Sequence, residues 1–145
     1  MRTGAVSHGP RGMREAPQYE YAQQDGVNIV RASGEIDLCT AHVLQELLEE
    51  AIGNGRAVVV DLTKATYIDS TGLNILIRVH ERSKQHDVRL GFVIANASMH
   101  RIFSVLALQK LFDIFPSVDE ALQKVQSAAA SEQPTDWPSL LAFGS

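Results

Sequence analysis

Two short, unbroken apolar runs set the pattern of this chain. One is Ala57-Val58-Val59-Val60, ending at Asp61-Leu62; the other follows Arg89 in the segment Arg89 to Ala95, which reads as a buried strand. Runs of this kind are what strands covered on both faces look like. Each is followed by a segment with helical spacing. Leu73, Leu76, Ile77 and His80 follow the first; Met99, Ile102, Phe103 and Leu106 follow the second. Strands alternating with helices predict an α/β fold built on a mostly parallel sheet.

The flanking segments extend that pattern. Tyr19 to Gln24 and Val27 to Ser33 read as a hairpin, because Asp25-Gly26 between them suits a type I′ turn. Gly34-Glu35-Ile36-Asp37 ends that run. Thr40 is the expected N-cap of a helix through Ile52, with Leu44, Leu47, Leu48 and Ala51 on one face and Gly53-Asn54-Gly55 as its stop. Thr63 to Asp69 reads as a loop, and the second helix as Ser70 to Gln85, with Asn74, Arg78, Glu81, Arg82 and Gln85 outward. Asn96 is placed to cap a third helix. Leu111 to Phe115 reads as a brief strand, and Ser117 with Glu120 as a capping box for a fourth helix carrying Ala121, Leu122 and Val125. The sum is one α/β domain over residues 19–130, with a mixed, mostly parallel sheet of about five strands and about four helices. Residues 1–18 read as a disordered lead-in. Residues 131–145 read as a tail whose Trp137, Leu140, Leu141 and Phe143 either dock or stay free.

Composition narrows the function classes. At 145 residues, 45% hydrophobic and 21% charged, the chain fits one soluble globular domain. A formal net charge of −4 argues against direct nucleic-acid binding. The single cysteine, Cys39, excludes an internal disulfide, fits a reducing compartment and reads as a small apolar filler. No apolar run is long enough to span a bilayer. Arg2, Arg11 and Arg14 come without an apolar stretch, so the start does not read as a secretory signal. A cytoplasmic protein with no membrane partner is the expectation. The histidines, at 8, 42, 80, 86 and 100, show no metal-ligand spacing and read as surface or partly packed residues. No Walker or Rossmann glycine loop is present, so neither metal nor cofactor is expected.

The chemistry concentrates at Asp69-Ser70-Thr71-Gly72-Leu73. This string puts the Ser70 hydroxyl where a loop becomes the first turn of a helix. A helix start offers unpaired N–H groups and partial positive charge, so a phosphate added there is stabilised. Ser70 therefore reads as a phosphoacceptor, with Thr71 as the second choice and a plain N-cap serine as the structural alternative. Gly72 reads as a site of close backbone approach. Asp37 and Ser70 both precede helices and so share the rim where ligands of open α/β sheets gather. An aspartic protease is excluded, since that site needs its glycine one position earlier and a second such aspartate on another lobe, and this chain has neither.

These residues resemble the STAS family, and within it the anti-sigma factor antagonists. Gly34-Glu35-Ile36-Asp37 with Thr40-Ala41 is similar to the family's first signature. Val58 to Leu62 followed by Ile68-Asp69-Ser70-Thr71-Gly72-Leu73 is similar to its second and most specific one. Met99 to Phe103 and Ser117 to Leu122 match weaker positions. The resemblance implies that Ser70 is phosphorylated by an anti-sigma factor that is itself a serine kinase. It implies that the bare form binds this factor and frees a sigma factor, and that a phosphatase restores it. The implied interface holds Asp37, Asp69, Ser70, Thr71 and Gly72; exposed helical phase adds Asn74 and Arg78. Self-association into a homodimer stays open. No catalytic residue is implied. An adaptor role in a larger, transporter-linked assembly is the alternative, and a hydrolase using Ser70 lacks an evident base. One departure is Ala107, where the family often ends its third helix with glycine; alanine tolerates a left-handed turn poorly, so a different helix end is expected. The tail has no counterpart.

Overall fold

The computed structural model describes residues 3–6 and 17–131, with side chains for 17–126. The elements are β1 (Thr3–Val6), β2 (Tyr19–Gln24), β3 (Val27–Ile36), α1 (Ala41–Gly53), β4 (Val58–Ile68), α2 (Ser70–Gln85), β5 (Leu90–Val93), α3 (Ala97–Val105), a 3-10 turn (Leu108–Lys110), β6 (Asp113–Phe115) and α4 (Val118–Ser131). The sheet order follows the chain, β1 to β6. The β1–β2 and β2–β3 pairs are antiparallel; the other three are parallel. The α/β class, the mixed sheet and the four helices are those expected.

Packing follows the two-residue period of the strands. Val58 and Val60 face one core, shared with Leu44 and Leu48 of α1, Leu76 and Val79 of α2, and Met99 and Phe103 of α3. Val59 faces the other way, into a smaller core with Ile29, Val93 and the α4 residues Ala121, Leu122 and Val125. A continuous apolar run is thus a strand covered on both faces. The hairpin turn is as read: Asp25 and Gly26 both take positive φ, 55° and 80°. Asn28, fully buried, donates to the Ala51 carbonyl at 3.1 Å and accepts from Tyr21 Oη at 2.7 Å, which ties the end of α1 to β3.

Several expectations are corrected. Thr63 to Ile68 is strand, not loop. β3 and β4 stay paired as far as Ile36 and Ile68, through two register shifts, and that pairing satisfies a backbone whose side chains carry little apolar pattern. Thr3–Val6 pairs with β2 as a further strand, within the segment read as disordered. The strand read over Arg89 to Ala95 is confined to Leu90–Val93, and that over Leu111 to Phe115 to Asp113–Phe115. Cys39 is exposed and fills nothing. Leu106 faces outward. Ala107 does adopt the left-handed turn, with φ 57° and ψ 28°, so α3 ends as a glycine would end it. His80 is buried, its ring 5.1 Å from that of Phe112. The tail from residue 132 and His8 lie outside the described residues. Among the described residues no helix is long and apolar enough to cross a membrane, and no cluster of metal-binding side chains occurs.

Candidate functional site

The site is built where β3 and β4 end side by side. Ile36 and Ile68 are register partners and both are buried. The next residues, Asp37 and Asp69, therefore emerge together at the carboxyl ends of neighbouring parallel strands. The Asp69 N–H donates to the Ile36 carbonyl at 3.1 Å, so the β-pairing continues into the site itself.

Asp69 is the N-cap of α2. Its backbone is extended, with φ −95° and ψ −175°, and its Oδ1 accepts the Gly72 N–H at 3.0 Å. Its Oδ2 accepts the Leu38 N–H from the other loop at 3.1 Å. The capping role considered for Ser70 thus belongs to Asp69. Ser70 is the first residue of the helix, with its side chain exposed; Thr71 beside it is half-buried. Asp69 takes the Gly72 N–H, which leaves those of Ser70 and Thr71 as the open donors of the first turn.

Gly72 is required for space and not for backbone freedom. A Cβ there would stand 2.6 Å from Ile68 Cγ1 and 3.0 Å from Ile36 Cγ2. Its absence lets the helix start press onto the two strand ends, and this sets the height of Ser70 above the sheet.

The other loop is held with equal care. Asp37 Oδ1 accepts the Cys39 N–H at 3.1 Å and the Thr40 hydroxyl at 3.4 Å, while the Asp37 carbonyl takes the Thr40 and Ala41 N–H groups at 3.1 and 2.8 Å. Thr40 precedes α1 but makes no side-chain cap; its Oγ1 instead accepts from Tyr19 Oη at 2.9 Å. Tyr19 is fully buried, and burial pushes its phenol above the usual range, partly opposed by the Thr40 hydrogen bond. Tyr19 thus supports the Asp37 loop from below. Sequence reasoning missed that role and also missed Leu38; the signal for Leu38 was a large apolar residue inside a turn.

The structure brings Asp37, Asp69, Ser70, Thr71 and Gly72 to one corner. Asn74 and Arg78 are exposed on the stripe leading away from Ser70. At 1.5 Å per residue they lie about 6 and 12 Å along the axis from it, so Arg78 stands apart from the cluster. Both carboxylates already hold donors of this chain and so act as clamps. A cavity of about 270 Å³ exists, but it is lined by His80, Lys84, Asp87 and Asp113, around the last turns of α2. The corner itself is an exposed surface, suited to meeting another macromolecule.

Residues 18–121 match the family model described as STAS domain. The anti-sigma-F factor antagonist RsfB of Mycobacterium tuberculosis is 34% identical over 106 residues, covering 72% of this chain and 86% of RsfB. The crystal structure of an anti-sigma factor antagonist from Mycobacterium paratuberculosis superposes with a TM-score of 0.68 at 29% identity, over 74% of this chain and 92% of that one. A sulfate transporter family protein from Wolinella succinogenes shares the fold, with a TM-score of 0.66 at 16% identity over 75% of this chain and 92% of that one. With the paired strand ends, the Asp69 cap and the exposed Ser70 in place, these matches make the chain a member of the STAS domain family, similar to proteins named anti-sigma factor antagonists.

Proposed function

We propose that this protein is an anti-sigma factor antagonist, acting in the cytoplasm, that binds an anti-sigma factor with serine kinase activity and is released by phosphorylation of Ser70. The observation that carries this reading is the exposed Ser70 at the first position of α2, held there by the Asp69 cap and the close approach at Gly72. A kinase needs an accessible hydroxyl at a defined height, and this corner offers one.

Phosphorylation adds roughly −1.5 to −2 charge and three acceptor oxygens. The open N–H groups and the helix dipole favour that charge, so the fold is retained. Asp37 and Asp69 make the patch strongly negative once it is added. A partner fitted to the bare hydroxyl then meets bulk and unmatched charge, and a loss of about 2.7 kcal/mol weakens binding roughly 100-fold. A phosphoserine phosphatase resets the switch. The protein itself performs no catalysis.

The test is phosphorylation in vitro. Incubation with a purified anti-sigma factor kinase and ATP is expected to place phosphate on Ser70, and Ser70→Ala to abolish it. Ser70→Asp is expected to melt like wild type while binding far more weakly. Phosphate on other residues with none on Ser70, or unfolding of the mimic, would refute the reading.

A further inference from the structure

We propose that Leu38 is the apolar anchor of this interface, entering an apolar recess rimmed by basic side chains on the anti-sigma factor. This rests on the reading of the previous subsection and names the contact that supplies its affinity.

Leu38 is 73% exposed and Tyr67 49%. A lone exposed leucine is ordinary. This one is held out by its backbone. Its N–H is taken by Asp69 Oδ2 at 3.1 Å, the next N–H by Asp37 Oδ1 at 3.1 Å, and that of Thr40 by the Asp37 carbonyl at 3.1 Å. Three bonds in three consecutive residues keep the loop from folding Leu38 back onto the domain. A side chain presented by an ordered loop loses little freedom on binding, which is how a few anchors come to dominate an interface. Tyr67 stands two residues before Asp69, opposite Glu35 in the β3–β4 register. Its neighbour Ile68 points into the core shared with α1 and α2, so Tyr67 leaves the sheet on the opposite face, and Leu38 is the large apolar side chain exposed at the corner that carries Ser70.

The surroundings select the occupant. A small molecule needs a concave site, and the 270 Å³ cavity is lined by His80, Lys84, Asp87 and Asp113 instead. An anionic membrane surface is repelled by Glu35, Asp37 and Asp69. A second copy of this chain, docked about a two-fold axis, would set the same acids against themselves. A protein whose recess is ringed by lysine or arginine matches both the anchor and the acids. Leu38 meets Asp69 on one side and the partner on the other, so affinity and phosphorylation are read at one corner.

The experiment is a titration of wild type, Leu38→Ala, Leu38→Asp, Tyr67→Ala and Ser70→Asp against the purified anti-sigma factor with ADP. Leu38→Ala is expected to weaken binding about 10-fold or more and Leu38→Asp to leave none measurable, while Tyr67→Ala, on the other face of the sheet, stays within about twofold of wild type, all with wild-type melting temperatures. If Leu38→Ala binds within about twofold of wild type while Ser70→Asp is still released, the anchor is refuted and the switch stands. If wild type binds none of the anti-sigma factors of its own organism, the switch reading falls and the anchor with it.

Discussion

Asp69 Oδ2 accepts the Leu38 N–H at 3.1 Å, so the residue that caps α2 also fixes the loop after β3. One carboxylate makes a single surface from two loops that are far apart in sequence. Replacement with alanine removes both functions. Asp69→Ala is expected to cost about 1–2 kcal/mol through the lost cap. Asp69→Asn keeps an acceptor for the Gly72 N–H but turns an NH2 toward Leu38. It is expected to stay close to wild type in a urea melt, while the Leu38 amide exchanges faster in both variants. Unchanged exchange at Leu38 in Asp69→Ala would show that the loop stands without the bridge.

Gly72 lies inside a helix, where alanine is ordinarily the better residue. Here the added methyl would meet Ile68 Cγ1 at 2.6 Å. Gly72→Ala is therefore expected to destabilise by about 1–3 kcal/mol, by overpacking where helix and strand ends meet. Chemical denaturation decides the sign; a stabilised variant would contradict the contact.

Ala107 holds a left-handed backbone, φ 57° and ψ 28°, at the end of α3. That conformation costs a residue with a Cβ roughly 1 kcal/mol or more. Ala107→Gly is expected to recover about 1 kcal/mol less the entropy glycine loses on folding. The net gain should show as a small rise in the denaturation midpoint with an unchanged slope, whereas a lower midpoint would contradict the strain.

His80 is buried against Phe112, its Nδ1 has no hydrogen-bonding partner among the described residues, and burial chiefly, with Lys84, pushes its pKa below the usual 6.5. Asp113 and Glu81 oppose the shift. The folded state therefore binds the proton less well than the unfolded chain. The contribution of the neutral ring is intact above pH 6.5 and is lost as pH falls through the lowered value. Urea melts at pH 7.5, 6 and 5 are expected to show a steeper acid loss in wild type than in His80→Gln. Parallel profiles would remove His80 from the account.

Local signals were legible where chemistry and neighbours agree. Asp25-Gly26 announces its turn because two successive positive φ values suit those residues. Asn96 announces its cap, accepting from the Met99 N–H at 2.9 Å. Thr63 to Ile68 was not legible, because its strand character comes from a partner strand and not from its own apolar pattern. Leu106 illustrates the reverse: it fits the helical period, yet the left-handed turn at Ala107 ends α3 and leaves it outside.

The Asp69 to Leu73 string by itself determined that a hydroxyl would sit at a helix start, since capping and helical spacing are local properties of the chain. Only the tertiary structure decided that Gly72 is pressed against Ile36 and that Leu38 is bound to Asp69. Those are contacts between segments about thirty residues apart, brought together by the parallel pairing of β3 with β4. The alternation of strands and helices predicts parallel strands, but the bond from Leu38 to Asp69 depends on which strand ends lie side by side, a contact between residues with no local relation in the chain.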